Sequence, residues 1–418
     1  MTKTVEPRML RGEIDVPPSK SMSHRALLAA ALAEGTSVVS NLVYSDDIEA
    51  TLSALNAFGI HTSKTDDSVK IVGNASLEVP LKPVDCRESG STLRFIIPFA
   101  GLIGRPVVFD GCGELVRRPL DPYFDLFKKQ GIAYRYDGRL PLEVTGKLSP
   151  GRFELPGNVS SQFISGLLFV LPLLSGDSEI RVTTALESQD YVDLTTWIMG
   201  YYGVKVDKID NNVWKIQGRQ TYRARDYRVE GDYSQAAFWI AAALMGDGLL
   251  LKDLEKDSTQ GDKRILRIAT DMGGKLEWEA AGLRVHGGRT NGAIVDASQC
   301  PDLVPIVATL AAVSEGTTRI INAGRLRIKE SDRLKSISSE LNKLGAKVTE
   351  EAEGLTIEGV KRLTGGQVNG WNDHRIVMSL VIAAIKCDKP VVIEGAEAVK
   401  KSYPHFFADI SALGGLVR

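Results

Sequence analysis

The sequence predicts an α/β protein of two domains, each built from three copies of one unit: strand, buried helix, strand, amphipathic helix and hairpin. Three observations carry that expectation. An apolar, Ala/Leu-rich helical run followed by a small or polar turn and a β-rich run recurs at residues 26–42, 92–110, 162–182, 235–254, 303–321 and 375–394, a spacing of roughly 70 residues that marks an internal repeat. A second, amphipathic run ending at glycine follows in each copy. Short alternating runs then close the copy before the next begins.

The elements follow in chain order. The first helix of each copy is apolar almost all round, so it belongs between layers rather than at a surface. The second, at 48–59, 123–131, 194–203, 263–274 and 334–345, carries apolar residues at three- and four-residue spacing. Each of these runs stops at a glycine, the residue that accepts a left-handed helix terminus. The sixth copy ends in the same kind of helix at 406–414. Hairpin strands come next, such as 205–206 with 213–216 and 347–348 with 355–357. One copy cannot bury its own faces, whereas three around an axis can, so six copies make two domains. The expected division is 13–228 for an N-terminal domain of three repeats and 1–12 plus 229–418 for a C-terminal one. Two crossing strands then form a hinge, with a junction near YRVEGD at 227–232.

Composition narrows the function. The 418 residues carry 51 Lys and Arg against 52 Asp and Glu, a formal net charge of −1, so neither a nucleic acid nor a membrane surface is expected as a partner. Any anion site must come from local clusters. The cysteines Cys86, Cys112, Cys300 and Cys387 are scattered, which fits a reducing, cytoplasmic setting. The five histidines never fall at His-x-x-x-His spacing, and no metal or cofactor is expected. The start lacks the apolar core of a signal peptide, and no apolar run reaches membrane-spanning length.

The segment PPSKSMSHR at 17–25 enters a helix with Lys20, Ser21, Ser23, His24 and Arg25 in its first turns. Unpaired N–H groups and the positive helix end point the same way as these cations and hydroxyls, an arrangement suited to phosphate or carboxylate. An ordinary N-cap would explain the serines, but cations there oppose the helix dipole, and a bound anion reverses that cost. The same address recurs in every copy: Ser89, Gly90, Ser91, Thr92 and Arg94; Ser160, Ser161 and Gln162; Asp232, Tyr233 and Ser234; Pro301 and Asp302; Asn372, Asp373, His374 and Arg375. Simple capping is expected of Asp232, Ser234 and Asn372. The loops before the amphipathic helices add Arg117 and Arg118, Ser188 to Tyr191, the run from Arg325 to Arg333, and Lys400 and Lys401. By itself the Arg325–Arg333 run would read as a solvated set of helical ion pairs. Beside five helix ends, it reads as a site with two carboxylates for proton transfer.

The motifs PSKSMSHRALLAAAL, SGSTLR, RRP, NVSSQF, KESDRL, NDHR and KSYPHF occur in this order over the whole chain. In these the chain resembles the enolpyruvyl transferase family. The resemblance implies an inside-out α/β barrel of three βαβαββ units in each of two domains, closing over substrate. It also implies transfer of the enolpyruvyl group of phosphoenolpyruvate to the 5-hydroxyl of shikimate 3-phosphate with release of phosphate, by a monomer acting on small molecules. For the residues, it implies that Ser21, Arg25, Ser160, Ser161, Gln162, Ser188, Tyr191, Asp302, Arg325 and Lys329 hold shikimate 3-phosphate. Gly90, Arg118, Gln162, Arg333, Arg375 and Lys401 would hold phosphoenolpyruvate, with Lys20 between the two. Asp302 would take the hydroxyl proton, Glu330 would protonate the methylene carbon, and Lys20 and His374 would assist at the bridging and phosphate oxygens.

Glu88 stands where many members have Asn, and is left out of the site; Arg325 also replaces an Asn of some members. A relative acting on UDP-N-acetylglucosamine would present Lys-Asn at the first helix and a loop cysteine, whereas this chain has Lys20-Ser21 and only Cys112 in a short loop. A non-catalytic anion-binding scaffold could dispense with Asp302 and Glu330. Both are present.

Overall fold

The second copy displays the repeating unit in full. Strand Val84–Asp85 leads into helix Gly90–Ile96, strand Val107–Asp110 returns parallel to the first, helix Asp121–Gln130 follows, and the hairpin Ala133–Arg135 with Leu142–Thr145 closes the sheet. The spatial order is first, second, fourth, third. Its buried helix is broken at Pro98, which lacks the N–H needed to continue the ladder, and resumes as Phe99–Ile103. The third and fifth copies repeat this order with strands starting at Arg152 and Ile294.

The remaining copies each borrow a strand from elsewhere in the chain. In the first, strand Ala33–Ser40 pairs in parallel with Tyr222–Arg223 and Tyr227–Arg228. In the fourth, Leu249–Lys252 pairs in parallel with Glu13–Asp15. The sixth has no hairpin; Thr2–Val5 lies antiparallel to Val391–Glu394 in its place. The short strand ahead of Pro17 therefore serves the fourth copy rather than the helix that follows it. That differs from the expected start of the N-terminal domain at residue 13.

The computed structural model describes residues 1–418, and they group into two compact units, Lys20–Val229 and Met1–Ser19 with Glu230–Arg418. Each unit has its own apolar core. In the discontinuous unit, helices Tyr233–Met245, Val304–Ala311 and His374–Ala383 pack on one another, and every residue of each is buried. Such burial needs side chains that are mostly apolar or small, as in AAFWIAAALM, with His374 and Arg375 confined to a first turn. The sheets give these helices one face, with Ile320, Leu355 and Ile357 inward while Arg319 and Glu358 face out. Lys20–Leu32 is likewise buried from Met22 onward, so His24 and Arg25 enter the core with it. The third hairpin begins at Asp207, slightly later than the expected 205–206.

Candidate active site

In the Lys20–Val229 unit, the helix ends bring Arg25 and Arg94 onto neutral acceptors and Lys20 onto a carboxylate. Arg25 donates to Thr195 Oγ1 at 2.7 Å, to the Ser21 carbonyl at 2.8 Å and to the Tyr191 carbonyl at 3.0 Å, and its guanidinium lies over the Phe95 and Tyr191 rings. Burial pulls this group down to about 10, with Tyr191 opposing the shift. Lys20 pairs with Asp47 at 2.7 Å. Arg94 donates to Gln162 Oε1 at 2.8 Å, and Gln162 Nε2 donates to Ser91 at 2.9 Å. Gly90 faces the same group. A Cβ at Gly90 would lie 2.8 Å from Arg118 Nη1, 3.6 Å from Arg94 and 3.8 Å from Gln162 Oε1. Ser89 caps this helix through Thr92 N–H, and a buried chain from His24 through Thr51 and Thr92 to Ser89 backs the turn. Burial, reinforced by Lys20 and Arg25, drives His24 well below its ordinary value, so it stays neutral. Ser160 caps the next helix through Gln162 N–H, and Ser188, at φ 54°, starts helix Gln189–Tyr201.

In the other unit, one buried arginine organises three carboxylates. Arg333, 1% exposed, donates Nη1 to Asp302 at 2.8 Å, Nη2 to Glu330 at 2.6 Å and Nε to Asp373 at 2.8 Å. Arg375 donates to the Asp302 carboxylate and carbonyl at 3.1 Å, and Lys329 stands 3.8 Å from the same carboxylate. Burial alone would raise Asp302; Arg375, Lys329 and Arg333 outweigh it and hold the carboxyl well below its usual range. Burial also lowers the Lys329 ammonium to about 8, opposed by Asp302 and helped by Arg325 and Arg333. Burial would lower the Arg333 guanidinium, but Asp373, Glu330 and Asp302 raise it. Asp262, hydrogen-bonded by the Ser234 hydroxyl, is pushed up to about 6 by burial and by Asp302, with Arg375 opposing. Lys401 donates to the Asn372 carbonyl at 2.7 Å, and Arg325 to that of Ser298 at 2.8 Å.

These two sets of cations, hydroxyls and carboxylates suit anions that carry both phosphate and carboxylate, together with proton transfer. A family model for EPSP synthase (3-phosphoshikimate 1-carboxyvinyltransferase) matches residues 5–410. The chain belongs to the EPSP synthase family. Proteins named 3-phosphoshikimate 1-carboxyvinyltransferase from Clostridium kluyveri and Clostridium acetobutylicum are 51% and 49% identical to it. The matches cover 99% and 98% of this chain and 97% of each relative. A solved EPSP synthase from Acinetobacter baumannii aligns with a TM-score of 0.83 at 25% identity, covering 100% of this chain and 99% of that one. The two-domain α/β fold expected from the repeats is that of the EPSP synthase family.

Several residues of this EPSP synthase-family chain were not among the expected site residues. Asp47 lies in the acidic first turn of helix Asp46–Ala57, where acids complement a helix N-terminus. It also pairs with Lys20. Arg94 was readable, because four residues on from Gly90 is the same helix face. Asp262 carries no sequence signal, since its approach to Ser234 depends on packing. Asp232 caps its helix as expected, through Ser234 and Gln235 N–H. Ser234 instead donates to Asp262. In the sixth copy Asp373, rather than Asn372, accepts the Arg375 N–H at 2.9 Å. Asn372 sits at φ 51°, which turns the chain so that the next residue does the capping.

Proposed function

We propose that this chain transfers the enolpyruvyl group of phosphoenolpyruvate to the 5-hydroxyl of shikimate 3-phosphate through the residues assembled above. The observation that carries the reading is the shared grip of Arg333 on Asp302 and Glu330, beside Arg375, in a chain matching the EPSP synthase family almost end to end. Shikimate 3-phosphate is held by Lys20, Ser21, Arg25, Ser160, Ser161, Gln162, Ser188, Tyr191, Asp302, Arg325 and Lys329. Phosphoenolpyruvate is held by Lys20, Gly90, Arg118, Gln162, Arg333, Arg375 and Lys401. Arginine forks suit the planar carboxylate and the phosphate oxygens.

In the addition step, Asp302 takes the proton of the 5-hydroxyl as its oxygen bonds to C2, and Glu330 delivers a proton to C3. In the elimination step C3 gives a proton back, the C2–O bond to phosphate breaks, and phosphate leaves. Lys20 and His374 stabilise the charge that develops on the bridging and phosphate oxygens. The ion pairs of Asp302 account for how it becomes basic enough. Once substrate anions claim the forks of Arg333 and Arg375, the cations that hold Asp302 down are shared with other charges, and its proton affinity rises.

Each unit supplies only part of the cation set, and the chain passes between the units at Ser19–Lys20 and Val229–Glu230. We read these two crossings as a hinge about which the units close on the substrates. The enzyme works as a monomer in the cytoplasm, on small molecules rather than on nucleic acid or membrane. No helix is long and apolar enough to cross a membrane.

The deciding assay follows phosphate release from phosphoenolpyruvate with shikimate 3-phosphate, and separately with UDP-N-acetylglucosamine. Release only with the first acceptor is expected. Activity confined to the nucleotide sugar, or tight binding of both substrates without product, would refute the reading. A smaller radius of gyration on saturation, and the mass of one chain by light scattering, are expected for the hinge and the monomer.

A further inference from the structure

Two consecutive residues ahead of helix His374–Ala383 are left-handed: Trp371 at φ 50° and Asn372 at φ 51°. Asp373 N–H donates to the Gly370 carbonyl at 2.9 Å, so they form the central pair of a β-turn with positive φ at both positions, the pattern of type I′. Asn fits there. A tryptophan does not, because it meets the same Cβ crowding without the short polar side chain by which Asn offsets it through local hydrogen bonds. Something outside the turn must hold it.

Glu340, on helix Arg333–Lys343 and only 1% exposed, is that holder. Its Oε1 accepts Trp371 Nε1–H at 2.9 Å and its Oε2 accepts Asn369 N–H at 2.9 Å. The Ser339 hydroxyl at 3.0 Å and Lys343 at 2.9 Å complete its shell. Asn369 Oδ1 in turn accepts Trp371 N–H at 2.7 Å, so the tryptophan is gripped by both backbone and ring. The turn so fixed aims two groups at the site. The Asn372 carbonyl holds Lys401, and the Asp373 carboxylate caps the helix at Arg375 N–H while gripping Arg333.

We infer that Glu340, acting through Trp371, is a positioning residue that sets Lys401, Arg333 and Arg375 in place for phosphoenolpyruvate. The inference rests on the assignment of those cations made above. A buried carboxylate satisfied by four donors fixes the geometry of the groups that share it.

Steady-state kinetics with both substrates varied test it. Trp371→Phe keeps a smaller aromatic side chain and removes the N–H donor; the expected result is a KM for phosphoenolpyruvate raised about fivefold or more, with that for shikimate 3-phosphate within about twofold. Glu340→Ala is expected to show the same split, more strongly. Adding Trp371→Gly, which accepts positive φ without the clamp, restores the phosphoenolpyruvate KM to within about threefold of the parent. A merely structural role would move both KM values together, with no rescue by glycine, and would overturn the proposal. So would an unchanged phosphoenolpyruvate KM in Trp371→Phe, a variant conservative enough to fold even where Glu340→Ala does not. Lys401→Ala separates the two claims. If it leaves the phosphoenolpyruvate KM unchanged, the cation assignment fails; if it raises that KM while Trp371→Phe does not, only the clamp fails.

Discussion

The two units hold their buried arginines on different partners. In Lys20–Val229, Arg25 is held by carbonyls and a hydroxyl, and Arg94 by an amide and a carbonyl. In the other unit, Arg333 and Arg375 are held by carboxylates. Neutral acceptors orient a guanidinium without cancelling its charge, so the field remains for an incoming anion. Carboxylates cancel the charge in advance, but leave acids and bases at the spot where protons must move. On the proposed function, the first arrangement serves chiefly to bind, and the second to bind and to transfer protons.

The sharpest way to break this contrast is to remove one cation from each side. Arg333→Ala leaves Asp373, Asp302 and Glu330 without their shared partner, and is expected to cost about 3–5 kcal/mol of stability and to reduce turnover by roughly 10²–10³ or more. Arg25→Ala strands only neutral acceptors. Its expected stability cost is smaller, about 1–3 kcal/mol, with the kinetic loss in the KM for shikimate 3-phosphate. Urea unfolding and steady-state kinetics read both, and equal stability losses would end the distinction.

Next in size is Glu330→Gln, which keeps shape and removes the acid. Turnover should fall by about 10²–10⁴, with ligand affinity by calorimetry nearly unchanged. A variant impaired only in KM would move Glu330 from proton transfer to binding.

Gly90→Ala probes the binding side more gently. The added Cβ meets Arg118 Nη1 at 2.8 Å, the mobile end of a long side chain, so the arginine shifts while the fold holds. The KM for phosphoenolpyruvate should rise roughly tenfold, equivalent to about 1.4 kcal/mol, at unchanged melting temperature.

The smallest effect is a pH shift at Lys329. Burial lowers its ammonium to about 8 in the folded chain, against an ordinary value of 10.5, so the unfolded chain binds more protons between these values. Stability attributable to this residue therefore rises with pH across that window, while anion binding by its charge is lost. The rate profile should show an alkaline limb near 8 that Lys329→Arg moves upward. A limb unmoved by the substitution would assign it to another group.

Much of this was legible in the chain itself. Six apolar helices, their amphipathic partners and the polar residues at their N-termini follow local periodicity and local capping chemistry, which neighbouring residues suffice to set. Lys20, Gly90, Gln162, Asp302 and Arg375 could be placed at helix starts for that reason. The borrowed strands could not, because Glu13–Asp15 has too few residues to signal that it pairs with Leu250–Lys252 far along the chain. Nor could the convergence of Asp302 and Asp373 on Arg333, beside its near neighbour Glu330, because these groups meet only when helices Val304–Ala311, Arg333–Lys343 and His374–Ala383 pack together. Trp371 is the clearest case. Its left-handed backbone runs against its own local preference and is held by Glu340, thirty-one positions away. Local chemistry decides which groups stand at each helix end; only packing decides which of them share a partner, and that sharing sets their charge.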